Sequence, residues 1–318
     1  MRSDDPQQED IGPSTSESGM SPSQNIENSI QQNEAESLES DIIPENPARS
    51  QNESMDILSQ ISGINILDKI LNGYQNLKSL RKAAYLLLLC DETNPRDPRN
   101  DSDPLRPSNL STSKKLCKIE CRLVNDMLEQ YFYPFNLFGD DEKEPLYGFF
   151  YERFTNTDRA YRTYKEFGSA PEDDRFIIQD GGYIRLGELE TYFEHNEKVK
   201  KNPIDVAKIF ENTLIYCRNV MVEYMKRIEI KEIELCALFG MFLWQEDIPN
   251  VSNRVLSTLA KVRDKIVREL HEYYKTQELS EVQITLKMSN LLLLIPKIEN
   301  SVRMLQENFK IVEIFNMI

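Results

Sequence analysis

Cys117 and Cys121 are the only two cysteines close enough in sequence to act together. A spacing of four puts both on one face of a helix, where they could begin a metal site. A closed zinc site needs four ligands, and the two histidines, His195 and His271, lie far off with no matching partner. The expectation is therefore free thiols used as small buried apolar groups, with no metal and no cofactor. Five cysteines scattered over 318 residues do not suggest a disulfide framework. Asp180-Gly181-Gly182 has neither the longer glycine pattern nor the lysine of a phosphate loop, so it reads as a plain turn. No Ser/His/Asp or Cys/His set stands at a recognisable spacing. His195 sits in a Glu/Lys-rich segment and His271 beside Glu272, both surface settings. An enzyme is not expected.

Composition narrows the class further. Hydrophobic residues make up 40% and charged residues 29%, an ordinary soluble balance. No stretch reaches the roughly 20 apolar residues of a membrane span, and MRSDDPQQED has no signal-like core. The expected location is the nucleus or the cytosol. Net charge is -15, and residues 1–53 hold twelve acids against two bases. Without a basic stripe the chain is a poor nucleic-acid binder. The same 53 residues contain no Phe, Tyr or Trp, so they cannot bury enough apolar surface to offset their conformational entropy. They read as a disordered acidic tail, and 54–318 as one domain.

That domain reads as helical. Leu67, Leu71, Tyr74, Leu77, Leu80 and Ala84 recur at three and four residues. Pro95, Pro98, Pro104 and Pro107 make a loop of 91–112. A second helix carries Leu116, Ile119, Leu123, Val124, Met127, Leu128 and Tyr131; a third, over 144–166, is unusually aromatic. Residues 176–186 read as a hairpin. Helices resume after the Asn202-Pro203 break and after Ser252, a plausible cap. Leu291 to Ile295 is apolar on every side, which calls for cover on every side. The sum is an all-α, three-layer domain with one small β-hairpin.

The segment from Tyr131 to Phe167 resembles the signature of nuclear receptor ligand-binding domains. Phe135 and Phe138 match its first pair, Leu146-Tyr147 its paired leucines, and Ala160-Tyr161-Arg162-Thr163 its end, while Glu142-Lys143 replaces Asp-Gln. Residues 70–85, 230–244 and 286–306 are similar to the first, eighth and tenth helices of the divergent nematode branch. The resemblance covers about residues 55–318.

What the resemblance implies is regulation of transcription through an apolar small molecule, coregulator proteins, and a dimer partner or a second copy. The implied pocket, of about 300–1,000 Å³, would be lined by Cys121, Asn125, Leu128, Phe150, Phe154 and Phe176. Arg162 would be its polar anchor. The alternatives are ordinary core packing for the aromatics and a buried pair with Asp or Glu for Arg162. The implied dimer surface is residues 286–306, with Leu291, Leu293, Leu294 and Val302.

Three departures from the family point elsewhere. Residues 1–54 hold no zinc-module cysteines, Gln130 stands where the coactivator-clamping lysine falls, and the chain stops at Ile314–Ile318 where an activation helix would follow. They lead to the expectations of no DNA-binding half and no ordinary ligand-dependent coactivator recruitment. They also leave open a ligand-independent helical dimerisation scaffold.

Overall fold

The computed structural model describes residues 63–90, 105–170, 172–245, 248 and 251–318. The expected tail over 1–53 and the loop over 91–104 lie outside the described residues. The long helices are α1 (Ile66–Cys90), α2 (Leu110–Tyr131), α3 (Asp140–Phe167), α5 (Pro203–Tyr216), α7 (Glu232–Leu243), α8 (Asn253–Thr276), α9 (Glu281–Leu292) and α10 (Ile295–Ile314). Between them stand β1 (Arg175–Ile177), β2 (Tyr183–Arg185), the four-residue α4 (Glu190–Phe193) and α6 (Glu223–Ile228). A π-helical segment, Cys217–Val222, runs directly from α5 into α6.

Local chemistry sets the starts. Asn109, Asn202, Ser252 and Ser280 each accept a backbone N–H from the first turn they precede, satisfying a donor that has no helical partner. Pro203 occupies a first-turn position of α5, where its missing N–H costs nothing. Pro145 lies deeper than its sequence position suggests, because α3 begins at Asp140 rather than near 144.

α7 is the centre of the stack. Every residue from Glu234 to Leu243 is buried, against α1 and α8 on one side and α3 on the other. α7 and α3 together make the middle layer, and beyond α3 lie α10 and the π segment, which gives the three layers. Gly240 lets the layers close: a Cβ there would stand 2.5 Å from Ile266 Cδ1 and 3.0 Å from Ile70 Cδ1.

The helix expected to be covered all round is therefore α7, not 291–295. There the chain breaks between α9 and α10, before Pro296. Leu292 and Leu293 remain 47% and 56% exposed, while Leu291, Leu294 and Val302 are buried in this chain's own core at 2%, 0% and 3%. Three of the four expected dimer residues thus face inward. The break re-aims the apolar run so that one helix need not bury all of it. Val302→Glu is accordingly expected to destabilise the domain by several kcal/mol, since it buries an unpaired carboxylate. Thermal melting of the variant checks this.

The hairpin sits where the sequence placed it. Phe176 pairs with Ile184, flanked by Arg175 with Arg185 and Ile177 with Tyr183. Gly181 takes the left-handed conformation at φ 77°, and the Asp180 carboxylate accepts from Gly182 N at 2.8 Å. Ser108 N donates to Tyr183 O at 2.9 Å, and Tyr183 N donates to Arg106 O at 2.9 Å, so the chain entering α2 ties onto β2.

Candidate ligand-binding interior

α3 runs through the middle of the domain and presents opposite chemistries on two faces. On one, Phe150 and Phe154 stack with ring centres 5.3 Å apart, and Phe239 of α7 lies 4.7 Å from Phe154. Phe150, Phe154 and Leu128 are fully buried and Phe176 is 1% exposed. These four expected lining residues are packed against other side chains. Asn125 is exposed on α2, beside buried Val124, and so faces away from the interior. Gln130, at the clamp position, is exposed near the end of α2.

Arg162 takes the second of its two readings. Its Nε stands 3.2 Å from Asp158 Oδ2, and its Nη2 donates to Ile178 O at 2.7 Å. Asp158 is shared: Arg81 approaches to 3.2 Å, and the Tyr74 hydroxyl donates at 2.7 Å. Arg81 also pairs with Glu120. Two guanidinium and two carboxylate groups thus form a neutral, buried set linking α1, α2 and α3. Burial alone would raise the Asp158 carboxyl. Arg81, Arg162 and the Tyr74 hydroxyl together more than offset this and hold it below its ordinary value.

The polar interior lies further around α3. The Cys121 thiol donates to the Tyr151 hydroxyl at 3.2 Å, Cys117 Sγ stands 3.9 Å from the same oxygen, and Tyr147 donates to Cys121 O at 2.9 Å. Hydrogen bonds from Cys117 and Tyr151 favour a thiolate at Cys121 over the opposing effect of burial, bringing that thiol down to about 7 and pushing Cys117 up. Among the described residues no group of three or more His, Cys, Asp or Glu gathers there or elsewhere. The thiolate absorbance lost in Cys121→Ser is expected to titrate as a step near pH 7 in the folded protein. Tyr151→Phe, which removes a donor to the thiolate, should move that step to higher pH. Ultraviolet difference titration measures both.

Arg159, one turn before Thr163, had no signal of its own in the sequence. Its Nε donates to Thr155 O at 3.1 Å, its Nη1 to Gln179 Oε1 at 3.2 Å and its Nη2 to Asn156 Oδ1 at 2.8 Å. All three acceptors are neutral. Among the described residues no carboxylate pairs with it, and burial pushes its pKa down. Cys217 of the π segment, Tyr151 and Tyr192 lie within electrostatic reach and favour its charge, while the like charge of Arg162 opposes it. Arg159, Tyr151 and Tyr192 are each half-buried. Ser113 on α2 is 1% exposed and its hydroxyl has no well-formed hydrogen bond, though Tyr192 stands beside it.

Comparison with known proteins agrees with this architecture. The family model for the ligand-binding domain of nuclear hormone receptor matches residues 98–315. The high zinc activated nuclear receptor protein of Caenorhabditis elegans is 36% identical over 267 residues, 83% of this chain and 63% of that protein. Two further relatives from that nematode are the nuclear hormone receptor family members nhr-57, 22% identical over 66% of this chain and 55% of its own, and nhr-12, 25% identical over 62% and 43%. The chain thus spans between 43% and 63% of the length of these three relatives. With its helical stack, its single hairpin and a match over more than half its length, the chain belongs to the nuclear hormone receptor family and carries that family's ligand-binding domain.

Proposed function

We propose that this domain regulates transcription by holding a small molecule in its interior, at the polar face of α3. The observation that carries this is Arg159, held by three neutral acceptors on that face with Tyr151 and Tyr192 near it and no carboxylate partner among the described residues. A ligand there touches α2, α3 and the π segment together, so it favours one mutual placement of these elements and changes what coregulators meet at the surface. Dimer partners would meet the exposed apolar residues of α9 and the turn after it, Val282, Leu286 and Leu293. The domain itself reads no DNA in this scheme and acts in the nucleus through its partners. The test fuses it to an unrelated DNA-binding domain in a reporter cell. Small molecules that raise the melting temperature of the purified chain should change reporter output, and a set that stabilises the chain without changing output would defeat the proposal.

A second reading is favoured by the thiol pair. The relative named for activation by high zinc prompts it, and a metal binds the thiolate, the form that Cys121 reaches near neutral pH while Cys117 would have to be deprotonated by the ion itself. In that reading Cys117, Cys121 and the Tyr151 hydroxyl offer two sulfur donors and one oxygen donor to a zinc ion. Titration with Co²⁺ as a spectroscopic stand-in tests it: a thiolate charge-transfer band lost in Cys121→Ser supports the reading, and no band in the unmodified protein dismisses it.

A further inference from the structure

We propose that Ser169 is a phosphorylation site for an acid-directed protein kinase, and that its phosphate loosens the turn that braces the π segment. Neither half depends on the ligand-binding reading above.

The acceptor is well presented. Ser169 lies two positions past the last residue of α3, exposed at the corner of a turn that Ala170 N closes by donating to Phe167 O at 3.1 Å. A surface turn can enter another enzyme's cleft without dismantling a helix or strand. Beginning three residues on, Glu172, Asp173 and Asp174 follow in succession. Among the described residues no other exposed serine or threonine is followed by acids at those three positions. That charge pattern matches a kinase with a basic rim beyond its phosphoacceptor pocket. Glu172 is exposed. Asp173 and Asp174 are held by Arg175 and Arg185 at 2.5 and 3.0 Å, but these pairs are partly exposed, where such bonds are weak enough to exchange.

The step is a phosphoryl transfer. The Ser169 oxygen forms a bond to the terminal phosphorus of a nucleoside triphosphate, the bond to the diphosphate leaving group breaks, and the hydroxyl proton passes to a base on the kinase. The product adds about -1.5 to -2 charge at pH 7. It lands beside the C-terminal end of α3, the negative end of the helix dipole, in a stretch that already carries Glu166, Glu172, Asp173 and Asp174. A fork able to take it is Arg175, whose guanidinium carbon lies 4.1 Å from the centre of the Phe167 ring at that same helix end. Arg175 serves Asp173 through its Nε at 2.9 Å and its Nη2 at 2.5 Å, so phosphate and carboxylate compete for it.

Asp173 is also the brace. Its main-chain oxygen accepts from Nε and Nη2 of Arg218 at 3.3 and 3.1 Å, and Arg218 is 5% exposed within the π segment. Like-charge repulsion that shifts Asp173 withdraws both contacts and leaves Arg218 its bond to Glu223 at 2.8 Å. A modification on the outer turn thereby reaches the segment that joins α5 to α6.

The test uses the full chain, a nucleoside triphosphate and an acid-directed serine/threonine kinase. Site-resolved mass spectrometry should find phosphate on Ser169 of the folded protein. Glu172→Ala removes an exposed charge and should cut the initial rate about ten-fold, the worth of one lost charge contact. The phosphorylated protein should melt about 2–4 °C lower, and the backbone amides of 217–222 should exchange with deuterium faster. Ser169→Ala, treated in the same way, should show neither change. Absence of phosphate at Ser169, phosphate there only after the chain has been unfolded, or an unchanged rate in Glu172→Ala overturns the site. Phosphate on Ser169 with melting and exchange unaltered overturns the coupling to the π segment.

Discussion

Asp158→Ala is expected to remove about 3–5 kcal/mol of stability, enough to unfold much of a marginally stable domain. The carboxylate is 2% exposed and serves Arg81, Arg162 and the Tyr74 hydroxyl at once. Deleting it leaves two guanidinium groups against Glu120 alone, a buried excess of one positive charge. Removing Arg81 and Glu120 together, as Arg81→Met with Glu120→Leu, takes out one charge of each sign and leaves the Asp158–Arg162 pair. That double variant should lose less than either single one. Urea unfolding of the four proteins measures the difference, and equal losses in the single and double variants would show that the groups act separately. The sign with pH follows from the lowered carboxyl of Asp158. Its contribution is complete above the unfolded value, about 4, and is lost only as pH falls below that through the folded value. Asp158→Asn should therefore flatten the acid side of the stability profile.

Phe154→Ala is the second large effect, expected at about 3–5 kcal/mol. The ring is fully buried between Phe150 and Phe239, and Phe239 in turn meets Tyr74 at 5.4 Å. Were these rings the wall of an open pocket, truncation would enlarge the pocket at little cost in stability. As core, it leaves a void that the central layer, buried on both sides, cannot collapse to fill. A loss under about 1 kcal/mol by chemical denaturation would return Phe154 to the pocket wall.

Periodicity exposed the helices and the glycine turn exposed the hairpin, because both signals are local. Ser252 was readable as a cap for the same reason, whereas Asn202 showed in the sequence only as part of a break before Pro203. The site was legible in part. The signature placed Arg162 on the right helix but could not show that Asp158, one turn before it, would claim the charge. Arg159 is silent in sequence: what marks it is the lack of a partner, a property of every element packed around it. Leu291 to Ile295 misled differently. Five apolar residues in a row report burial only if one helix continues through them, and the turn before Pro296 divides them between inward and outward directions.

The π segment fixes how this region can change by insertion or deletion. An α-helical residue advances the chain by roughly 100°, so one residue more or less rotates everything downstream by that angle. Met221, Val222, Tyr224 and Met225 are all buried, and the Tyr224 hydroxyl reaches Asn290 O at 2.9 Å. Deleting one residue from 217–222 would restore a regular helix and turn Tyr224 and Met225 away from these contacts. The surplus residue is thus locked in phase with the core behind it. Among descendants of this sequence, length changes should collect on the turns beside Glu229 and Glu278, both already left-handed, and avoid this stretch.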